Sequence, residues 1–523
     1  MSRVLVTEQL SQTGLEKLVE AGHEVDVQLG LSPEELLNAV VGAHALIVRS
    51  ATDVTGEVIA AGSDLVVVGR AGVGLDNVDV ATATERGVVV CNAPQANVVS
   101  AAEHAIALLL SVARNIPQAH QALTEGRWER SRWTGSEILG STVGVVGLGR
   151  VGELVANRLS AFGANIVAYD PYVPNERARD LQVTMMPLDE LLAQSDFITV
   201  HLPKTPDTVD LINAAALAKC KPTARLVNTA RGGIVNESDL AEALDAGTIA
   251  GAGIDVFAVE PTTESPLFGR EDAIVTPHLG ASTREAQDKA GVTIAEMVNL
   301  ALAQEFVPFA VNLAASEAPE NMRLYLPLAG RLGEFLGGLV GEVPSKLELR
   351  IVGELASYDR QMLTLSVVRG MLSPLVDEPV TFVNAFEVAE RLGVQITDQG
   401  PAGESEFVNL VEVRADGHAV AGTLVGGRLE PRIVMVDDHD IELPPSANLL
   451  VIRNDDRPGM IGSVGSMLGN AGVNVSFMGL GRATDSSMAL MALATDERVD
   501  DHIIAALLAD DGIRSVARIE LSA

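Results

Sequence analysis

The chain has 523 residues, 47% of them hydrophobic, and its 37 basic against 70 acidic residues leave a formal net charge of −33 at pH 7. That length exceeds one compact core and predicts three or four domains, while the charge argues against nucleic acid or an anionic membrane as a partner. Two cysteines make no disulfide framework or metal cluster, residues 1–10 lack a basic lead into an apolar stretch, and the longest plain apolar run, residues 105–113, is too short for a bilayer, so a soluble, cytoplasmic, metal-free protein is expected.

From the N-terminus, short β-branched runs at residues 3–7, 24–28, 45–49, 65–69 and 88–91 alternate with helical stretches such as 33–41. This is the pattern of a parallel α/β sheet. A helix beginning at Val98 leads through a polar segment carrying Trp128 and Trp133 to a second series of strands at 142–146, 165–169, 197–200, 225–228, 251–256 and 273–276. A helix from 283 to about 303 is long enough to return to the first domain.

Only the second series opens on a glycine-rich turn, Gly147-Leu148-Gly149-Arg150-Val151-Gly152, set between a strand and a helix. Gly147, Gly149 and Gly152 would permit a tight turn and close approach of a pyrophosphate to the helix N-terminus. Asp170, 18 residues beyond Gly152 at the end of the next strand, suits the adenosine ribose hydroxyls and would repel a 2′-phosphate, which favours NAD over NADP. Asp170 also reads as a turn former before Pro171.

Arg231, Glu260 and His278 follow in the same domain. A hydride leaving a hydroxyl-bearing carbon leaves a proton behind, which a histidine carries near neutral pH. Glu260 would keep that imidazole charged, and Arg231 would hold a substrate carboxylate by a planar two-pronged hydrogen bond.

Beyond residue 314 the pattern changes. EAPEN at 317–321 reads as a linker before a helix at 324–340, and Ala415-Asp416-Gly417 between two alternating runs reads as a hairpin, giving an α+β domain. Residues 448–523 give strand, helix, two strands, helix and strand, with Pro458 in the first turn of the first helix and Gly472 closing it.

Five ordered blocks, GLGRVG (147–152), HLPKTPDT (201–208), NTARGGIVNE (228–237), AGIDVFAVEP (252–261) and PHLGAST (277–283), resemble the D-2-hydroxyacid dehydrogenases. RSATDVTGEVI (49–59), VVGRAGVGLDNVDV (67–80) and NAPQANVVSAAEHA (92–105) look like the members of that family that oxidise 3-phospho-D-glycerate to 3-phosphohydroxypyruvate with NAD, at the head of L-serine biosynthesis. The likeness is strong over residues 1–312, and the remainder is similar to their long form. It implies a Rossmann-type NAD domain (98–283) inserted in a flavodoxin-like substrate domain (1–97 and 284–312). An α+β intervening domain (313–446) and a C-terminal βαββαβ ACT regulatory domain (447–523) would follow.

The resemblance also implies roles. Arg231 would bind the carboxylate, His278 would be the acid-base and Glu260 its partner. Arg150, Val151, Asp170, Thr229, Ala230, Asp255 and Gly280 would line NAD, with Asp255 near the nicotinamide carboxamide. Arg49, Ser50, Arg70, Val73, Gly74 and Asn97 would handle the phosphate and carboxylate, reversing locally the strong negative field of the chain. Arg130 and Arg132 are candidates for reaching a neighbouring subunit, and a homo-oligomer, a tetramer by preference, is implied. In the ACT domain Asp456 and Asn474 would bind L-serine as an effector. Asn454 stands where relatives often carry His or Tyr, and Asp456 also reads as an N-cap.

Three other readings fit parts of the pattern. One is the same chemistry on glyoxylate, hydroxypyruvate or pyruvate, or 2-oxoglutarate as a side activity. Another is an NAD-sensing co-repressor on the same fold, and the third is a metabolite-binding scaffold with a decayed catalytic domain.

Overall fold

The computed structural model describes residues 1–313, 320–399, 406–482 and 488–522, so residues 317–319 of the expected linker lie outside the described residues. The first sheet comprises β1 (Arg3–Val6), β2 (Glu24–Val27), β3 (Ala45–Val48), β4 (Val67–Arg70) and β5 (Val89–Asn92), all parallel in the order β2-β1-β3-β4-β5. This is the flavodoxin-like order, with the strand C-termini facing a crevice. The strand expected at 65–69 begins two residues later, because Leu65 closes the turn from the preceding helix (Leu65 N–H to Gly62 C=O, 3.1 Å).

The second sheet holds β6 (Thr142–Val146), β7 (Asn165–Tyr169), β8 (Thr184–Met185), β9 (Phe197–Val200), β10 (Arg225–Asn228), β11 (Gly251–Ile254) and β12 (Ala273–Val275). All are parallel in the order β12-β11-β10-β9-β6-β7-β8, the Rossmann arrangement extended by one strand. With two residues, β8 is too short to show periodicity. A helix at Ile116–Thr124 occupies part of the stretch that reads as polar, entered through Asn115 at φ 51° and Pro117.

Two helices carry the chain between these sheets. Val98–Arg114 packs on β11, where a Cβ on Gly251 or Gly253 would come within 3.1 to 3.2 Å of Val112. Arg284–Leu302 returns to the first sheet, where a Cβ on Gly69 would lie 2.8 Å from Ile294 and one on Gly14 would meet the Gly291 backbone at 2.8 Å. The Ser100 and Thr283 hydroxyls, 2.7 Å apart, tie the two crossings together.

The third sheet contains β13 (Lys346–Gly353), β14 (Gln395–Asp398), β15 (Asn409–Ala415), β16 (His418–Val425), β17 (Glu430–Val436) and β18 (His439–Leu443), in the order β14-β13-β15-β16-β17-β18. Asp416 (φ 45°) and Gly417 (φ 84°) form the tight turn between β15 and β16 that the hairpin signal predicts. Beneath it the helices Leu326–Val340 and Gln361–Leu372 cross in backbone contact, since a Cβ on Gly370 would lie 2.0 Å from the Gly330 carbonyl oxygen.

The last sheet pairs β19 (Asn448–Asp455), β20 (Val475–Arg482), β21 (Met488–Thr495) and β22 (Ile513–Glu520) in the order β20-β21-β19-β22, antiparallel throughout. With its helices Met460–Asn470 and Asp501–Leu508 it forms the expected βαββαβ unit. Pro458 does not lie in the first turn of the Met460 helix. Gly459, at φ 98°, holds the N-cap position, so Asp456 does not occupy it. This domain shares a hydrophobic core with the preceding one: Leu332 and Phe335 join Leu449, Val451 and Ile519. Glu334 fixes the far end by accepting hydrogen bonds from the Ser522 amide (2.8 Å) and hydroxyl (2.5 Å).

Candidate active site

The glycine-rich turn follows β6. Gly147 adopts φ 98°, which favours a residue without a Cβ, and donates its N–H to the Tyr169 carbonyl at 2.8 Å. A Cβ on Gly152 would sit 2.0 Å from the Gly147 carbonyl oxygen, so only glycine lets the helix Arg150–Ala161 close on the turn. Gly149 faces open space at that helix N-terminus, a place suited to a pyrophosphate. Arg150 is exposed and Val151 half-buried beside it.

Asp170 accepts the Leu148 N–H (2.9 Å) on one carboxylate oxygen and the Tyr172 N–H (2.9 Å) on the other. It forms the turn before Tyr172 and steadies the glycine loop, and a carboxylate has further lone pairs for ribose hydroxyls. After β10, the buried Asn228 grips the next loop from both sides, accepting the Ala230 N–H (3.1 Å) and donating to the Arg231 carbonyl (3.0 Å). The Thr229 hydroxyl, on the loop that follows β10, is buried with no hydrogen-bond partner. The cradle without Cβ atoms, the open helix end and this hydroxyl fit NAD.

His278 and Glu260 are brought together by tertiary contact. His278 Nδ1 lies 2.5 Å from Glu260 Oε2, and both side chains are partly open to solvent. Burial raises the Glu260 pKa, but the hydrogen bond from His278, the Phe257 amide at 2.8 Å and the imidazole charge outweigh it and hold the carboxyl below its ordinary value. His278 occupies a left-handed backbone conformation, φ 53°, that Asp255 supports. The Asp255 carbonyl accepts the His278 N–H (2.8 Å), and its fully buried carboxylate accepts the Leu279 N–H (2.7 Å), the Gly280 N–H (2.9 Å) and the Thr276 hydroxyl (2.6 Å). His104 Nε2 completes the cluster, 3.1 Å from both Asp255 Oδ1 and Thr276 Oγ1. For Asp255, burial works upward, while His104, Thr276 and the Leu279 amide hold the carboxyl below its usual value.

The substrate side is cationic. Arg70 ends β4 and is half-buried, with its Nε buried and lacking any hydrogen-bond partner. Its pKa is lowered chiefly by desolvation and then by the charges of Arg231 and Arg49, against which Asp76 and Glu8 act. Arg231 and Arg49 thus both stand close enough for their charges to act on Arg70. Arg231 donates to the Ala230 carbonyl (2.8 Å), approaches Asp76 at 3.8 Å and packs on Gly74, where an added Cβ would lie 2.8 Å from the guanidinium. Asn92 holds the Val73 carbonyl at 2.6 Å. Asn97 is the N-cap of the Val98 helix without a side-chain cap bond, and Ser50 is exposed on the loop after β3.

The remaining candidates lie apart. Arg132 pairs with Glu271 (2.5 Å) and stacks on Trp133 (5.0 Å) within its own chain. Asp456 and Asn474 are exposed at opposite ends of the 11-residue Met460–Asn470 helix, roughly 16 Å at 1.5 Å per residue, and Asn474 donates to Asp496 (2.6 Å). Sequence reading missed Glu8, Asn77, His104, Asn228 and Thr276. All but Glu8 lie in or beside the quoted blocks, and none has a local pattern that marks it. Among the described residues no helix is long and apolar enough to cross a membrane, and no group of three or more His, Cys, Asp or Glu side chains is placed to hold a metal ion.

Comparison with known proteins gives the family of each part of the chain. Residues 106–280 match the NAD binding domain of D-isomer specific 2-hydroxyacid dehydrogenases, 321–437 the D-3-phosphoglycerate dehydrogenase intervening domain, and 448–512 the ACT domain. Proteins named D-3-phosphoglycerate dehydrogenase from Mycobacterium leprae and Synechocystis are 47% and 40% identical, the first over 99% of both chains, the second over all of this chain and 95% of its own. Among solved structures, TT0316 from Thermus thermophilus superposes with a TM-score of 0.55 at 36% identity, covering 59% of this chain and 99% of its own. An NAD complex of the formate dehydrogenase from Staphylococcus aureus gives 0.53 at 32% identity, covering 58% and 97%.

Proposed function

The chain belongs to the D-3-phosphoglycerate dehydrogenase family of NAD-dependent 2-hydroxyacid dehydrogenases, and from that premise we propose that it oxidises 3-phospho-D-glycerate to 3-phosphohydroxypyruvate, the first step of L-serine biosynthesis. The observation that carries the substrate is Arg70, whose buried Nε has no hydrogen-bond partner and on whose guanidinium the charges of Arg231 and Arg49 act. Three cations held together in a chain of net charge −33 suit a substrate anionic at both ends.

Bound NAD supplies the hydride acceptor. Arg231 holds the substrate carboxylate beside Gly74, and Arg49, Ser50 and Arg70 take the phosphate, with Val73, Gly74 and Asn97 lining the cleft. As the C2–H bond breaks, His278 takes the C2 hydroxyl proton, and Glu260 stabilises the imidazolium that results. Asp255 and Gly280 set the loop that aims the imidazole. The test is reduction by NADH: purified protein should turn over 3-phosphohydroxypyruvate in preference to hydroxypyruvate or pyruvate. Turnover of pyruvate with none of the phosphorylated acid defeats the assignment.

The ACT domain suggests an amino-acid effector, which we infer to be L-serine. Asp456 and Asn474 stand too far apart in one chain for one small ligand, which supports a site shared between two copies and hence an oligomer, a tetramer by the family pattern. The two cysteines are free and buried, with burial pushing the Cys91 thiol up to about 12, in keeping with a cytoplasmic setting. Adding L-serine to the same assay, with mass measured by light scattering, tests both points.

A further inference from the structure

The loop carrying Arg49 and Ser50 is gripped from both sides by residues that no motif singles out. On one side, the half-buried carboxylate of Glu8, just past β1, accepts main-chain N–H bonds from Arg49 (2.8 Å), Thr52 (3.0 Å) and Ala51 (3.2 Å) on Oε1, with Ala51 also 3.3 Å from Oε2. Three amides turned onto one anion form a backbone nest. On the other side, the Asn77 amide donates to the Arg49 carbonyl (2.8 Å) and the Thr52 carbonyl (2.5 Å). Glu8 binds the N–H groups of this loop and Asn77 its carbonyls.

An acid beside a site for anions works against the substrate's charge unless it does something else. Here three main-chain amides point onto it, and these bonds tie the Arg49–Thr52 loop to the end of β1. In the substrate reading above Arg49 and Ser50 take the phosphate, so this loop addresses the end of the substrate away from the carboxylate and the reacting carbon. We propose that Glu8 and Asn77 are positioning residues that clamp the Arg49–Ser50 loop for the phosphate and thereby set the preference for phosphorylated over unphosphorylated acids. This rests on the substrate reading above.

The test uses the full-length protein and NADH, with 3-phosphohydroxypyruvate and hydroxypyruvate as the paired substrates. Wild type is measured first, and if it does not prefer the phosphorylated acid the proposed function itself fails, whatever Glu8 does. Given that preference, Glu8→Ala is expected to raise KM for 3-phosphohydroxypyruvate about tenfold, with kcat within about twofold. The selectivity ratio of kcat/KM values then falls about tenfold, the behaviour of lost binding that is equal in ground and transition states. Glu8→Gln keeps an oxygen at the Oε1 position and should restore most of that loss. Should Glu8→Ala not fold, Asn77→Ala removes the opposite jaw and should show the same selective rise. An unchanged selectivity ratio, equal losses for both substrates, a Gln variant as poor as Ala, or a KM that falls because phosphate enters the vacated nest would each overturn the proposal.

Discussion

Asp255 holds His278 through the main chain: its carbonyl accepts the His278 N–H at 2.8 Å, and its carboxylate accepts the two following amides at 2.7 and 2.9 Å. The imidazole's orientation thus depends on a fully buried acid. Replacing that acid by Asn puts an NH2 group against N–H donors, so Asp255→Asn should lower kcat about 100-fold through misplacement of the base. Steady-state kinetics with a melting curve on the same sample checks this, since the fold should survive.

His278→Ala should retain NADH binding by fluorescence while turnover falls by about 10²- to 10⁴-fold, the usual worth of an acid-base group. Because His278 sits at φ 53°, His278→Asn is the companion variant: asparagine tolerates this backbone, so a similar loss there assigns the effect to chemistry and not to strain.

Arg70 is held in the unliganded protein against burial and against Arg231 and Arg49. Arg70→Met should therefore raise the thermal stability of the unliganded protein by about 1 kcal/mol, as relief of buried charge does. The same change should raise KM for the phosphorylated substrate about 10- to 100-fold, the loss of a charge-assisted hydrogen bond. Opposite signs in melting and kinetics are the signature to look for.

Gly152→Ala would drive a methyl group to 2.0 Å from the Gly147 carbonyl. The helix must back away from the turn, and NAD affinity by calorimetry should fall more than tenfold with little change in helical content.

The carboxyls of Asp255 and Glu260 both lie below their ordinary values in the folded chain. A group whose pKa is lowered by folding contributes stability above its unfolded pKa, about 4, and loses it as pH falls through the folded value. Stability of the NAD domain should therefore be level above about pH 5 and decline below about pH 4. Asp255→Asn should show a shallower acid limb in urea titrations across that range.

Much of this protein was legible in its sequence. The two parallel sheets followed from β-branched runs at regular spacing, and the hairpin at Asp416-Gly417 from turn chemistry. The glycine cradle and the order of Arg231, Glu260 and His278 came from motifs whose physics is local. The two-residue β8, the start of the Met460 helix at Gly459 instead of around Pro458, and the helix at 116–124 escaped because short elements and helix ends are set by packing. What only the tertiary structure decided is which groups act on which. Glu8 reaches amides 41 or more residues away, and Asp255 meets His104 from another element. Arg70 becomes costly through the burial of its side chain first and the charges of Arg231 and Arg49 second. Such effects depend on distance and burial in space, and a linear pattern carries neither.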